Sequence, residues 1–149
     1  GRVTPVATIG YEDATMPSFL EALRGAGVEL LVDVRAVANS RKPGFSKNRL
    51  AASLREAGID YLHLRALGAP AEGRAAARAG DHDELRRVFT EHMDTPEAQA
   101  ELETLAGLVR SGRRVCLMCL EADPRHCHRT LVASALKERV PVQVDDLFP

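Results

Sequence analysis

The chain has 149 residues, of which 45% are hydrophobic, and a formal net charge of −1. That length suits one domain, over residues 1–149, with a core large enough to need no staples. The composition excludes a disordered chain and a strongly basic nucleic-acid binder, so any basic site must be local.

Three cysteines, an odd number crowded toward one end, do not make a disulfide framework and fit a reducing compartment. No apolar run approaches the roughly 20 residues that cross a bilayer, and the opening GRVTPVATIG lacks the charged and apolar regions of a secretion signal. A cytoplasmic protein with no membrane partner is expected.

In chain order, Val6–Ile9 is a short apolar run ended by Gly10. Pro17 with Phe19, Leu20 and Leu23 then marks a helix that stops near Gly25 and Gly27. Leu30–Val34 is almost continuously apolar, as in a strand buried on both faces of a parallel sheet. After a polar loop, Ser46 is placed to cap a helix whose inner side is Leu50, Ala51 and Leu54, with Gly58 at its end. Tyr61–Leu64 predicts a third strand. The two helix exits, LRGAGVELL from Leu23 and LREAGIDYL from Leu54, repeat one strand–helix unit.

Residues 69–112 break the rhythm, being rich in Ala, Arg and Glu, and predict a helical insertion. Within it Thr95 and Pro96 are an N-cap and first-turn proline before the stripe Leu102, Leu105, Val109. Val115–Cys119 is a buried strand, Asp123-Pro124 starts a helix to about Glu138, and Val142–Val144 is a last strand. In that helix positions 128, 131, 132, 135 and 136 form the expected sheet-facing stripe. The order predicts an α/β fold, three-layer α/β/α, with a mainly parallel sheet of about five strands and right-handed crossovers. Ligands in such folds bind beyond the carboxyl ends of the strands.

That rule selects Gly10-Tyr11, Arg35 through Phe45, His63-Leu64-Arg65 and CLEADPRHCHR from Cys119. Cys119, the first residue of that stretch, forms a Cys-x-x-Cys with Cys116 just before it, yet alternation along a strand sends the two to opposite faces, so they cannot share one ion. Cys119 and Arg125 match a Cys-x5-Arg phosphate loop in spacing, but Glu121 and Asp123 would repel a phosphate and no glycine intervenes. Cys116 reads as core. Cys119 reads as either a thiolate helped by the following helix and by His128 or Arg129, or a small hydrophobe closing a strand. NSRKPGFSKNR gathers Arg41, Lys42, Lys47 and Arg49 with Ser40 and Ser46 at a helix start, a place that favours anions. Asp33 and Arg35 share a strand face, so Asp33 either pairs with Arg35 or works as an acid–base group. Tyr11 either stacks on a ligand or packs.

The stretches TIGYEDATMPSFLEAL, LVDVRAVANSRKPGFSKNRL, YLHLRALG and LMCLEADPRHCHR closely resemble the domain of unknown function 488 family, and the resemblance covers nearly the whole chain. It implies a compact α/β/α domain with motifs at Thr8–Tyr11, Asp33–Arg35, Ser40-Arg41, Cys119, Glu121 and Cys127-His128-Arg129. One departure is Val37-Ala38, where the family often has a proline.

The leading expectation is an enzyme, or former enzyme, acting on a phosphorylated small molecule, nucleotide or nucleic-acid component. Cys119, Glu121 and His128 would carry the chemistry, and Tyr11, Asp33, Arg35, Ser40, Arg41 and Arg129 would hold a small anionic ligand. No cofactor and no resident metal is assigned. Two alternatives stay open: a nucleic-acid binding module using the 39–49 loop with Arg65, Arg74 and Arg78 on its rim, and a metal-binding protein using Cys119, Cys127 and His128. The 69–112 insertion would serve as a lid or a dimer surface.

Overall fold

A computed structural model describes residues 3–149. Five strands, β1 (Thr4–Gly10), β2 (Leu30–Asp33), β3 (Asp60–His63), β4 (Val115–Cys119) and β5 (Val142–Leu147), make one sheet in the order β3-β2-β4-β1-β5. Every pairing in it is parallel. The helices are α1 (Met16–Gly25), α2 (Lys47–Glu56), α3 (Ala71–Arg78), α4 (His82–Met93), α5 (Pro96–Arg110) and α6 (Arg129–Lys137). β5 runs three residues past the apolar stretch that marks it in the sequence. It pairs with β1 alone, so as an edge strand it keeps exposed Gln143, Asp145 and Asp146 and loses the continuous apolar signature of a central strand.

Strand alternation divides the interior into two cores. Leu31, Cys116, Met118 and Ile9 pack with Phe19 and Leu23 of α1 and Leu50 and Leu54 of α2. Leu30, Val32, Leu117 and Cys119 pack with residues of α3, α4, α5 and α6 on the other side. The protein is therefore a three-layer α/β/α structure, with the insertion forming most of one outer layer. Cys116 and Cys119 do face opposite cores, as period-two geometry requires.

The repeated helix exits have a common physical cause. Gly27 and Gly58 sit at φ +70° and +78°, and the residue after each donates back to Leu23 O at 3.0 Å and Leu54 O at 2.9 Å, which is a left-handed helix stop. A side chain there meets the carbonyl of its own residue, so Gly27→Ala or Gly58→Ala should each lower stability by about 1 kcal/mol. A urea midpoint that falls at unchanged slope would register this; an unmoved midpoint would contradict it.

Two local expectations need correction. Ser46 occupies the N-cap position of α2 but makes no capping bond. Its Oγ instead accepts from Ser40 N at 3.0 Å and donates to Ser40 O at 3.3 Å, tying the 39–46 loop across its base. The final helix does not begin at Asp123-Pro124. Pro124–His126 forms a 3₁₀ turn, Cys127 is extended at φ −126°, ψ 143°, and α6 starts at Arg129. That reset shifts the inward row by one, to Arg129, Val132, Ala133 and Leu136, with Leu131 and Ala135 only partly buried.

β1 leads through α1 toward β2 on one side, whereas β4 leads through α6 toward β5 on the other. The strand order therefore reverses around β1 and β4. Their carboxyl ends, Gly10 and Cys119, lie side by side, and a crevice is expected there.

Candidate functional site

Beyond the end of β2, Asp33 accepts from Arg35 N at 3.0 Å, from Arg35 Nη2 at 2.6 Å and from Tyr61 Oη at 2.6 Å. Arg35 also donates through Nη1 to Tyr11 Oη at 3.1 Å and Phe45 O at 2.8 Å. Tyr11 stacks on Phe45 with centroids 4.7 Å apart. This network fastens the ends of β1, β2 and β3 to the basic loop. Burial works against the Arg35 charge, but the bonds and charge of Asp33 hold its proton more tightly than in a free guanidinium. Burial, followed by the hydrogen bond to Asp33, pushes the Tyr61 phenol up as well.

The second corner grows from β4. Gly10 lets the chain after Cys119 pass against β1, since a Cβ there would lie 1.7 Å from Glu121 O. Arg129, fully buried, reaches back from α6 to the same turn. It donates to Thr8 Oγ1 at 3.1 Å, Glu121 O at 2.5 Å, Ala122 O at 3.4 Å and Cys119 Sγ at 3.1 Å. None of these partners is a carboxylate. Burial lowers the guanidinium's hold on its proton. Cys119 Sγ also lies 3.5 Å from Glu121 Oε2, and burial raises the Glu121 carboxyl above the ordinary range.

Cys127, at 3% exposure, brings its sulfur within bonding distance of Cys119 Sγ. His128 sets its Nε2 2.6 Å from Val34 O. Because a carbonyl only accepts, Nε2 carries the proton and Nδ1 keeps a lone pair. Nδ1 in turn lies 3.8 Å from Cys127 Sγ. Burial pushes His128 down to about 4, so the ring is neutral at physiological pH. Burial raises the Cys116 thiol too, as suits a core residue.

Between the corners lies a cavity of about 250 Å³. Of the residues singled out in the sequence, Tyr11, Arg35, Cys119, Glu121 and His128 line it. Asp33 and Arg129 are buried behind its wall. Ser40 and Arg41 are not among the lining residues; Arg41 is exposed, and the Ser40 hydroxyl accepts from Lys42 N at 3.1 Å within the loop. Asn39, from the strand-end loop that the sequence selects, lines it, and so do the α3 row Gly73, Arg74, Ala77 and Arg78 and Leu85 of α4, to which the sequence assigns no cavity role. From the sequence, Arg74 and Arg78 have a place only on the rim of a nucleic-acid surface. Their four-residue spacing, with small Gly73 and Ala77 beside them, is the signal that places two cations on one helix face. Arg65, Lys47 and Arg49 are exposed.

Among the described residues no helix is long and apolar enough to cross a membrane. No curated protein and no solved structure matches the chain. The family model described as Domain of unknown function DUF488 matches residues 15–136. That match takes in α1 to α5, nearly all of α6 and the residues of the cavity corners from β2 onward, but not Thr8, Gly10 and Tyr11 at the end of β1, and the chain belongs to the domain of unknown function 488 family.

Proposed function

We propose that the protein, with the Cys119–Cys127 pair reduced, is an enzyme acting on a small molecule with a negatively charged group, with Cys119 as a thiolate at the cavity wall. The observation that carries this reading is the pairing of Arg129. A guanidinium with no exposed surface needs counter-charge; the Asp146 carboxylate reaches Arg129 through the Thr8 hydroxyl, and among the described residues the ionisable side chain it touches directly is Cys119, whose Sγ lies at 3.1 Å. Glu121 meets it only through its backbone carbonyl, and burial favours the neutral form of the Glu121 carboxyl. The Arg129 guanidinium donates to that sulfur and would offset the charge of a thiolate there. Glu121 is placed to pass a proton at the cavity wall, and neutral His128 to accept one at Nδ1. Opposite them, Asn39, Arg74 and Arg78 supply donors for the anionic part of a ligand. The cavity is slightly smaller than the roughly 300–1,000 Å³ of drug-sized pockets, which suits a compact metabolite.

A thermal-shift panel of inorganic phosphate, citrate and a nucleoside monophosphate tests the binding half. At least one should raise the Tm of the parent by several degrees and leave an Arg74→Ala, Arg78→Ala double variant unmoved, with the unliganded Tm the same in both. Equal shifts in the two proteins, or none in the parent, would remove the assignment.

A further inference from the structure

We infer that Cys119, Cys127, Glu121 and His128 form a mononuclear site for a soft divalent cation of the zinc class. The inference rests on the reading of Cys119 as a thiolate and gives that thiolate a second partner. Three ligand atoms, from Cys119, Glu121 and Cys127, already lie within 4.8 Å of one another. In a tetrahedron with zinc–sulfur bonds of about 2.3 Å and zinc–nitrogen or zinc–oxygen bonds of about 2.0–2.2 Å, ligand atoms stand roughly 3.5–3.8 Å apart. Two edges have that length here: Cys119 Sγ to Glu121 Oε2 at 3.5 Å and Cys127 Sγ to His128 Nδ1 at 3.8 Å. The edge between the sulfurs is the one that must open. Its backbone is already set for that, since the Cα atoms of Cys119 and Cys127 are 7.2 Å apart, outside the roughly 4.4–6.8 Å that disulfides span.

The surroundings match what such a site requires. A histidine ligand usually donates its other ring N–H to a carbonyl or carboxylate, which fixes the tautomer and the ring; His128 does so to Val34 O at 2.6 Å. Backbone Arg129 N lies 3.5 Å from Cys127 Sγ, and its side chain donates to Cys119 Sγ. Two thiolates and one carboxylate around a divalent ion leave one negative charge, and buried Arg129 supplies one positive. The disulfide form must first take up two electrons from a thiol or phosphine reductant; from the dithiol, two metal–sulfur bonds form, any protons still on the thiols and Glu121 pass to solvent, and no further electrons are exchanged. Glu121 and His128 both border the cavity. The carboxylate is the ligand that a substrate oxygen would displace.

The full chain, reduced with a phosphine and stripped with a chelator, should bind one equivalent of Co²⁺. Binding should bring thiolate-to-cobalt charge-transfer absorbance and intense visible bands of tetrahedral cobalt, both bleached by Zn²⁺. Cys116→Ser should leave these spectra unchanged and Cys127→Ser should remove the charge-transfer band or at least halve it. Uptake below about a tenth of an equivalent in the parent, octahedral spectra, or unchanged charge transfer in Cys127→Ser would overturn the site. The parent measurement decides the matter even if Cys127→Ser does not fold. Thiolate absorbance of the metal-free parent at neutral pH separates this failure from that of the preceding section. If it drops in Cys119→Ser yet no metal binds, only the metal site is wrong; if it does not drop, both are.

Discussion

Asp33→Ala should destabilise the protein by about 3–5 kcal/mol, the range seen when one member of a buried ion pair is removed. Asp33 has no exposed surface and Arg35 only 6%, so the variant leaves a guanidinium in the interior with Tyr11 Oη and Phe45 O as its remaining partners. Tyr61 Oη loses its acceptor as well. The effect should be read as a fall in the urea midpoint at constant slope, and an Asp33→Ala, Arg35→Met double variant should recover part of it. If the double variant loses as much as both single variants added together, the orphaned charge is not the cause. The damage should also spread to the cavity, because Arg35 holds Tyr11 and the Phe45 carbonyl, and Tyr11 lines the cavity wall.

Gly10→Ala should lower stability by about 3 kcal/mol, the upper end of ordinary overpacking. A Cβ at this position meets Glu121 O at 1.7 Å and Glu121 C at 2.5 Å, both main-chain atoms, and Arg129 Nη1 at 3.0 Å. No side-chain rotation relieves contacts with a backbone. The turn after β4 must move, which pulls Glu121 O away from Arg129. Gly107→Ala in α5 is the matched control: its Cβ would meet nothing within 4 Å, so helix propensity should make it neutral or up to about 1 kcal/mol stabilising. Equal urea midpoints for the two variants would show that the close approach at Gly10 is not tight.

The layered α/β fold was legible because its signals are local. The continuous run Leu30–Val34 and the paired stops at Gly27 and Gly58 each depend on neighbours within a few residues. The start of α6 misled for the same reason. Asp123-Pro124 spells a helix start, and only the extended Cys127 after the 3₁₀ turn shows that the helical phase begins again at Arg129. A buried arginine in an apolar row is not visible to a rule that sorts residues by polarity; its place follows from Thr8 on β1, far away in sequence, and from Cys119 at the end of β4, ten residues before it. The strand-end rule pointed to Tyr11, Arg35, Cys119, Glu121 and His128, which line the cavity. It had nothing to say about α3, whose Arg74 and Arg78 reach the cavity only because the insertion folds back over the sheet. The meeting of Cys119 with Cys127 likewise depends on the sharpness of the turn between them, which spacing does not encode.

The position of β4 between β1 and β2 has a consequence for assembly. The central pairings of the sheet wait for a segment separated from β3 by the whole insertion, so the loop-closure entropy of three helices must be met before either forms. Tyr11 and Arg35 come from the part of the chain before that closure, and Cys119, Glu121 and His128 from the part after it. Neither half of the polypeptide holds a fraction of the cavity by itself: completing the sheet and creating the site are one event.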